Sequence, residues 1–403
     1  MRPDQLRAYI ALGWFAVCMS VASVGHAEDS LRPEVGTPLL AAQQLMKAQH
    51  YKEALDKVRE AEGVAGRTPY ENFTIERMRA AAAAATGDYA TATKSIESLI
   101  ASGKLTADDQ LKMMEALAGT YYRAKDYTRA VYWLRQYQAS GGKDAEMHTL
   151  LIQSLYFSGD YAAAAGEITA TVADDERNGR VPSENMLQLL ANCQSKTHDP
   201  QGYIGTLERL VDHYPRKEYW ADLIYRLRNK PGFPNRLDLD VYRLRRASGT
   251  LDEAPAYVEY AELALQAGFP AEARMIVDEG FQKKLLGTGS EAPRHRRLRE
   301  LAAREAGLDS ASRTANANAD GLVNDGYALI TQGKFNQGIA MMEQGLHKEQ
   351  QLKHSGDAHL HLALAYLQAG NREKSMQILK TLLTSNDGTN DLARLWLLLT
   401  RLD

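Results

Sequence analysis

Apolar residues in this chain recur at helical spacing. Leu117, Ala118 and Tyr121, and again Leu151, Ile152 and Leu155, stand at i, i+1 and i+4, which places them on one buried helix face. Short polar turns separate such runs. Gln49-His50-Tyr51-Lys52-Glu53-Ala54, Gly87-Asp88-Tyr89-Ala90-Thr91-Ala92, Lys125-Asp126-Tyr127-Thr128-Arg129-Ala130 and Gly159-Asp160-Tyr161-Ala162-Ala163-Ala164 share one shape: a polar turn, an aromatic, two loose positions and an alanine. The alanines lie 38, 38 and 34 residues apart, a period that predicts stacked helical hairpins. Each position has a physical reason. Glycine or asparagine can close the first helix in a left-handed turn, aspartate can cap the second, and the ring packs into the seam. Alanine lets the two helix backbones approach, where a larger side chain would hold them apart. The run Ala80–Ala85 reads as the same first helix made thin.

The shape returns with weaker anchors as Gly268-Phe269-Pro270-Ala271-Glu272-Ala273, Gly333-Lys334-Phe335-Asn336-Gln337-Gly338 and Gly370-Asn371-Arg372-Glu373-Lys374-Ser375. A degraded copy fits Ser183–Pro215, with Leu187, Leu190 and Ala191 on its first helix and Leu207 and Leu210 on its second. No proline lies between Pro69 and Pro182 or after Pro293. Proline breaks helix interiors, so both stretches are predicted to be continuous hairpins. Pro215, Pro231 and Pro234 bunch around a segment that fits the period badly, and a hinge or insert is expected at 216–252. Leu308–Ala319, rich in Ala, Asn and Ser, reads as a linker or long loop. Asn390–Leu402 carries Leu392, Leu395, Trp396, Leu399 and Leu402 on one face and is expected to cap the stack.

The period resembles the tetratricopeptide repeat over most of residues 35–385. The resemblance implies an all-α fold, a helical-hairpin solenoid wound as a right-handed superhelix with an irregular central insert and a C-terminal capping helix. The expected layout is repeats at 35–215, an irregular basic segment at 216–252, further hairpins at 253–307, a linker at 308–319 and C-terminal repeats with the cap at 320–403.

The first residues read as an export signal. A basic start, Met1–Arg7, leads into the apolar run Ala8–Val24 and the small-x-small sequence Gly25-His26-Ala27, so cleavage is expected after Ala27 and residues 1–27 are set apart from the fold. The apolar run is also near the lower limit for an uncleaved anchor, and Cys18 raises a lipoprotein reading that Phe15-Ala16-Val17 disfavours. An exported, periplasmic protein is expected, without another membrane-crossing segment. The full chain carries a net charge of −3, and removing Arg2, Arg7 and Asp4 with the signal leaves it near −4. That balance gives no reason to expect nucleic acid. Cys193 alone would survive cleavage, which rules out an intramolecular disulfide.

No phosphate loop, zinc motif or nucleophile elbow is present, and neither an enzyme nor a cofactor nor a metal site is expected. Gly287-Thr288-Gly289-Ser290 lacks the lysine and following helix of a phosphate cradle. His359 and His361 are two apart, on different helix faces, where paired ligands stand three or four apart. Cys193 has no histidine at helical spacing and reads as a buried thiol. Two basic stretches stand out. Residues 216–246 hold nine cations against four carboxylates, and Arg226, Arg228, Lys230, Arg236, Arg243, Arg245 and Arg246 form a candidate patch for an acidic protein segment, for anionic lipid headgroups, or a solvated face. The other is Arg294-His295-Arg296-Arg297 with Arg299 and Arg304.

In tetratricopeptide repeats, positions 2, 5, 9, 12 and 13 of each first helix line the concave surface. The resemblance places Lys112, Tyr122 and Arg123, then Gln153, Tyr156 and Phe157, then Gln188, Asn192 and Lys196 there, as a candidate protein-binding groove. Amides that can hold a peptide backbone beside rings that give apolar contact suit that task. Tyr214–Leu223, Lys230-Pro231-Gly232-Phe233 and Leu237–Leu244 further resemble the middle region of exported repeat proteins associated with TonB-type energy-transducing systems. This implies a periplasmic adaptor that engages TonB, ExbB and ExbD components or a TonB-dependent transporter. A scaffold for polysaccharide export or outer-membrane assembly is the alternative, and an enzyme or solute-binding protein with a site between the two solenoid halves is a third.

Overall fold

The computed structural model describes residues 30–308, 318–348 and 351–402. The export signal expected at 1–27 lies outside them, as does most of the linker expected at 308–319. Twenty α-helices and one 3-10 turn, with no strand, make up the described residues. The first eight are α1 (Pro33–Lys47), α2 (Tyr51–Glu62), α3 (Pro69–Thr86), α4 (Tyr89–Ala101), α5 (Ala107–Arg123), α6 (Tyr127–Ala139), α7 (Ala145–Ser158) and α8 (Tyr161–Arg177). Then come α9 (Glu184–Lys196), α10 (Pro200–His213), α11 (Lys217–Arg228), α12 (Asp238–Ala247), α13 (Ala254–Gln266) and α14 (Pro270–Gln282). The last six are α15 (Ala292–Leu308), α16 (Ala319–Thr331), α17 (Phe335–Leu346), α18 (Ser355–Gln368), α19 (Arg372–Leu382) and α20 (Thr389–Leu402).

The hairpin turns follow from their residues. Gly87 and Gly159 end α3 and α7 in the left-handed region, at φ 82° and 86°. The carboxylates of Asp88, Asp126, Asp160 and Asp199 accept from the backbone N–H three residues on, which caps α4, α6, α8 and α10. Where the turn lacks glycine, Gln49, Lys125 and His198 take the left-handed conformation themselves, at φ 61°, 61° and 55°. The anchors Ala54, Ala92, Ala130 and Ala164 are fully buried, as the period requires. In α16 and α17 glycine replaces alanine for the same reason: a Cβ on Gly326 would stand 2.7 Å from the Gly338 carbonyl oxygen, and one on Gly338 2.5 Å from that of Gly326.

The helices gather into two units. One holds residues up to Gly179 with Asn192–His198, the other Arg180–Ala191 with Asp199 onward. The first unit has a core of successive small clusters. Val35, Leu39, Ala42 and Val58 pack with Ile75, Ala83 and Ala92, and Ile96 and Leu99 with Met113, Leu117, Tyr121 and Ala130. Glu71 sits fully covered at the head of α3, where Arg32 donates to it from its backbone N–H and guanidinium and Thr68 from its backbone N–H. The hydrogen bonds from Arg32 overcome burial and hold the Glu71 carboxyl down to about 2.

In the second unit, the segment expected to be irregular is helical: α11 and α12 joined by a 3-10 turn at Asn235–Leu237. Its apolar residues Trp220, Leu223, Ile224, Leu237, Val241 and Leu244 are buried, so the prolines fall between helices and leave their interiors intact. The last helix does more than cover α19. α20 also packs on α10, α12 and α18, with Leu392, Leu395, Trp396, Leu398 and Leu399 buried. Arg394 and Arg401 pair with Glu208 and Asp212 of α10 at 2.8 and 3.4 Å. They line a polar cleft of about 310 Å³ between the two helices.

Candidate functional site

Within the first unit, the face carried by α5, α7 and the end of α9 collects the expected groove residues in regular rungs. Tyr122 donates its hydroxyl to Gln153 Oε1 at 3.1 Å, and one repeat later Tyr156 donates to Asn192 Oδ1 at 2.9 Å. The rungs recur because tyrosine at one first-helix position reaches an amide three positions earlier in the next first helix. Phe157, 53% exposed, stands among rings: its centroid is 6.4 Å from Tyr122, 5.1 Å from Tyr127 and 5.6 Å from Tyr156. Tyr127 lies edge-on to Tyr122 at 5.5 Å, and Tyr161 edge-on to Tyr156 at 5.3 Å. The Tyr156–Phe157, Tyr122–Tyr127 and Tyr156–Tyr161 pairs are edge-to-face, and Phe157 meets Tyr122 and Tyr127 tilted at 59° and 30°, so an exposed ring is held by other rings.

Arg123 is half-buried, with its guanidinium 5.9 Å from the Tyr89 ring and one bond to Thr120 Oγ1 at 3.2 Å. Burial pulls its pKa below the usual guanidinium value. Lys112 is exposed and paired with Asp108 at 2.7 Å, so it adds only a screened surface charge. Lys196 is exposed at the end of α9. Gln188 belongs to the second unit, where it donates to Tyr219 Oη at 2.6 Å while Tyr219 donates to Glu184 at 2.5 Å. Sequence reasoning gave Tyr127 and Tyr161 only a role in the hairpin seam, and the structure adds them to the exposed aromatic cluster. Their signal was their place one turn after Tyr122 and Tyr156.

The cations of the expected basic patch are paired within the fold. Arg226 pairs with Asp222 and lies 3.8 Å over the Tyr203 ring. Arg228 bonds Asp238 and Glu259, Lys230 bonds Asp391, and Arg246 bonds Glu279. Arg236 holds Asp357 and the Asp387 carbonyl. Arg245 lies 5.3 Å over Tyr242 and donates to the Thr250 carbonyl. Arg243 is buried outright: it donates twice to Glu272 at 2.7 and 2.9 Å and to Asp240 at 2.7 Å, and stacks 4.4 Å over Tyr327. His361 lies 3.1 Å from Asp240 in this cluster. His359 contacts the Ser355 carbonyl, on another side of α18. Cys193 is buried, and burial pushes its thiol up.

Two segments match models of the tetratricopeptide repeat, residues 77–145 and 329–402. No curated protein matches the chain. Among solved structures, the chain is similar to YrrB, described as a TPR protein with an unusual peptide-binding site, at 14% identity over 45% of this chain and 87% of that one, TM-score 0.33. It is similar to yeast Tom70 at 10% identity over 91% and 96% of the two chains, TM-score 0.27. A third is the Naa15/Naa10 structure bound to HypK-THB, at 14% identity over 87% of this chain and 53% of that one, TM-score 0.37. Scores this low carry no inference. The two matched segments show that the chain contains tetratricopeptide repeats, within a fold that is all-α over the described residues, and such repeats are in general non-catalytic scaffolds that bind other proteins.

Proposed function

We propose that this chain is a non-enzymatic adaptor that binds an extended segment of a partner protein on the α5–α7–α9 face. The observation that carries the reading is the exposed Phe157, held by Tyr122, Tyr127 and Tyr156 beside two amide rungs. Aromatic anchors of this kind, ringed by oriented hydrogen-bonding groups, are where binding energy concentrates. A photocrosslinking residue placed at Phe157 in cells is expected to attach a specific protein, and the same residue at exposed Leu40 is expected not to. Equal labelling from both positions, or none from Phe157, would refute the reading.

Within it, we place the protein in the periplasm as an accessory of a TonB-type system. The support is the signal-like start and the resemblance of residues 214–244. Because the arginines of that segment are paired within the fold, we put the partner contact on the aromatic face. Purified chain mixed with the soluble parts of TonB, ExbB and ExbD is expected to retain at least one of them. Failure with all three would remove the system assignment and leave the adaptor.

A further inference from the structure

Arg123, Phe157 and Lys196 each stand three residues before a turn aspartate, Asp126, Asp160 and Asp199, at the ends of α5, α7 and α9. The match extends to their surroundings. Arg123 lies 5.9 Å over the ring of Tyr89, the first residue of α4, and Phe157 lies 5.1 Å from the ring of Tyr127, the first residue of α6. The row therefore reads cation, exposed phenyl, cation. The dipole favours a cation at a helix C-terminus, and an exposed one serves that purpose. Lys196 is exposed, but Arg123 is half-buried. Its side chain folds back along α5, with Nη1 3.7 Å from where a Cβ on Gly119 would stand, and bonds Thr120 Oγ1 at 3.2 Å. A guanidinium has five N–H donors, yet no carboxylate is paired with Arg123 or Lys196 among the described residues. The turn aspartates are occupied elsewhere: Asp88, Asp126, Asp160 and Asp199 accept from helix N–H groups, and Asp126 also pairs with Arg129 at 3.3 Å.

A guanidinium drawn away from water gains most from a carboxylate, whose two oxygens match its planar fork. Neighbouring first helices are in contact, as the Tyr122–Phe157 rings at 6.4 Å and the Tyr156–Asn192 bond at 2.9 Å show. Each cation is thus about 8–10 Å from Phe157 along the row. That is about three residues of extended chain, at about 3.3 Å each. Resting on the adaptor reading above, we propose that this row docks an acidic segment of a partner protein: an apolar side chain lies on Phe157, and carboxylates about three residues to either side meet Arg123 and Lys196. Phe157 supplies contact area and the two cations supply selection. A segment with amides or lysines at those places leaves Arg123 off water and without an anion, which disfavours it.

The test is a titration of the purified chain with the capped peptide Glu-Thr-Ser-Leu-Ser-Thr-Glu and with its counterpart carrying glutamine for both glutamates. Capped ends leave the two side chains as the peptide's only carboxylates. The acidic peptide is expected to bind at least about tenfold more tightly, an advantage that shrinks as added salt screens it. Arg123→Gln and Lys196→Gln are each expected to lower that advantage about threefold or more. Phe157→Ala is expected to weaken both peptides alike. Arg123→Gln is further expected to melt at or above the parent's temperature, since the cation it removes serves the ligand. If it melts lower, the exposed Lys196→Gln, which leaves the fold intact, decides alone. Equal affinity for the two peptides overturns the proposal, as does an advantage that the folded cation variants keep, or failure of both peptides to bind. If the acidic peptide shows no advantage while a crosslinker at Phe157 still captures a specific partner, the acidic-segment inference falls and the adaptor reading stands. If neither occurs, both fall.

Discussion

At the scale of single residues, local chemistry was legible where the partner is near in sequence. An aspartate placed three residues before a free helix N–H announces its own hydrogen bond, and all four turn aspartates make it. The left-handed Lys125 was legible only through its place in the repeat, where Gly87 and Gly159 stand, since lysine itself gives no sign of it. Left-handed backbone costs a β-carbon-bearing residue about 1–2 kcal/mol. Lys125→Gly is accordingly expected to raise unfolding free energy by about 0.5–1 kcal/mol, measured by chemical denaturation, after glycine's greater unfolded-state entropy is offset. A decrease would show that the strain is absent. Glu71 gives a second prediction. Its folded pKa, about 2, lies below the ordinary 4.5, so its stabilisation is complete above 4.5 and is lost as pH falls toward 2. Glu71→Gln should lower the melting temperature at pH 7, with the gap to the parent closing as pH drops through that window. A gap independent of pH would contradict the assignment.

At the scale of elements, the hairpins were readable because small residues recur where two helices touch. The anchor positions stayed readable even when alanine became Gly338 or Ser375, both buried in α17 and α19. Glycine in a helix interior normally costs about 1 kcal/mol relative to alanine, so Gly338→Ala should stabilise on propensity alone. Here the new methyl would meet the Gly326 carbonyl and Ile330, and we expect a net loss of about 1–3 kcal/mol with weakened protection of α16 amides in hydrogen exchange. A rise in stability would mean the pair separates freely. The central segment shows the limit of pattern reading. Prolines and arginines disguised α11 and α12 as an irregular insert, although their apolar residues keep a helical period.

At the scale of the whole molecule, sequence order concealed who meets whom. Arg236 answers Asp357, 121 residues away, and Lys230 answers Asp391, 161 residues away, and no spacing rule predicts such pairs. A basic run therefore looked like a surface for another molecule while its charges were matched inside the second unit. Arg243 carries the sharpest consequence. Removing it leaves Asp240 and Glu272 buried without their cation, and Arg243→Ala is expected to cost about 3–5 kcal/mol, read as a lost or split unfolding transition. A change under about 1 kcal/mol would mean that water enters and solvates the carboxylates.

The seating of α20 on α10 has a temporal consequence. A stack held by neighbours alone can be completed hairpin by hairpin as the chain is delivered N-terminus first, each new pair finding its seat at once. Here Glu208 and Asp212 wait for Arg394 and Arg401, which are synthesised nearly two hundred residues later. Closing so long a stretch of chain slows the search. The second unit thus stays unfinished, with part of α10 uncovered, until its final helix has emerged.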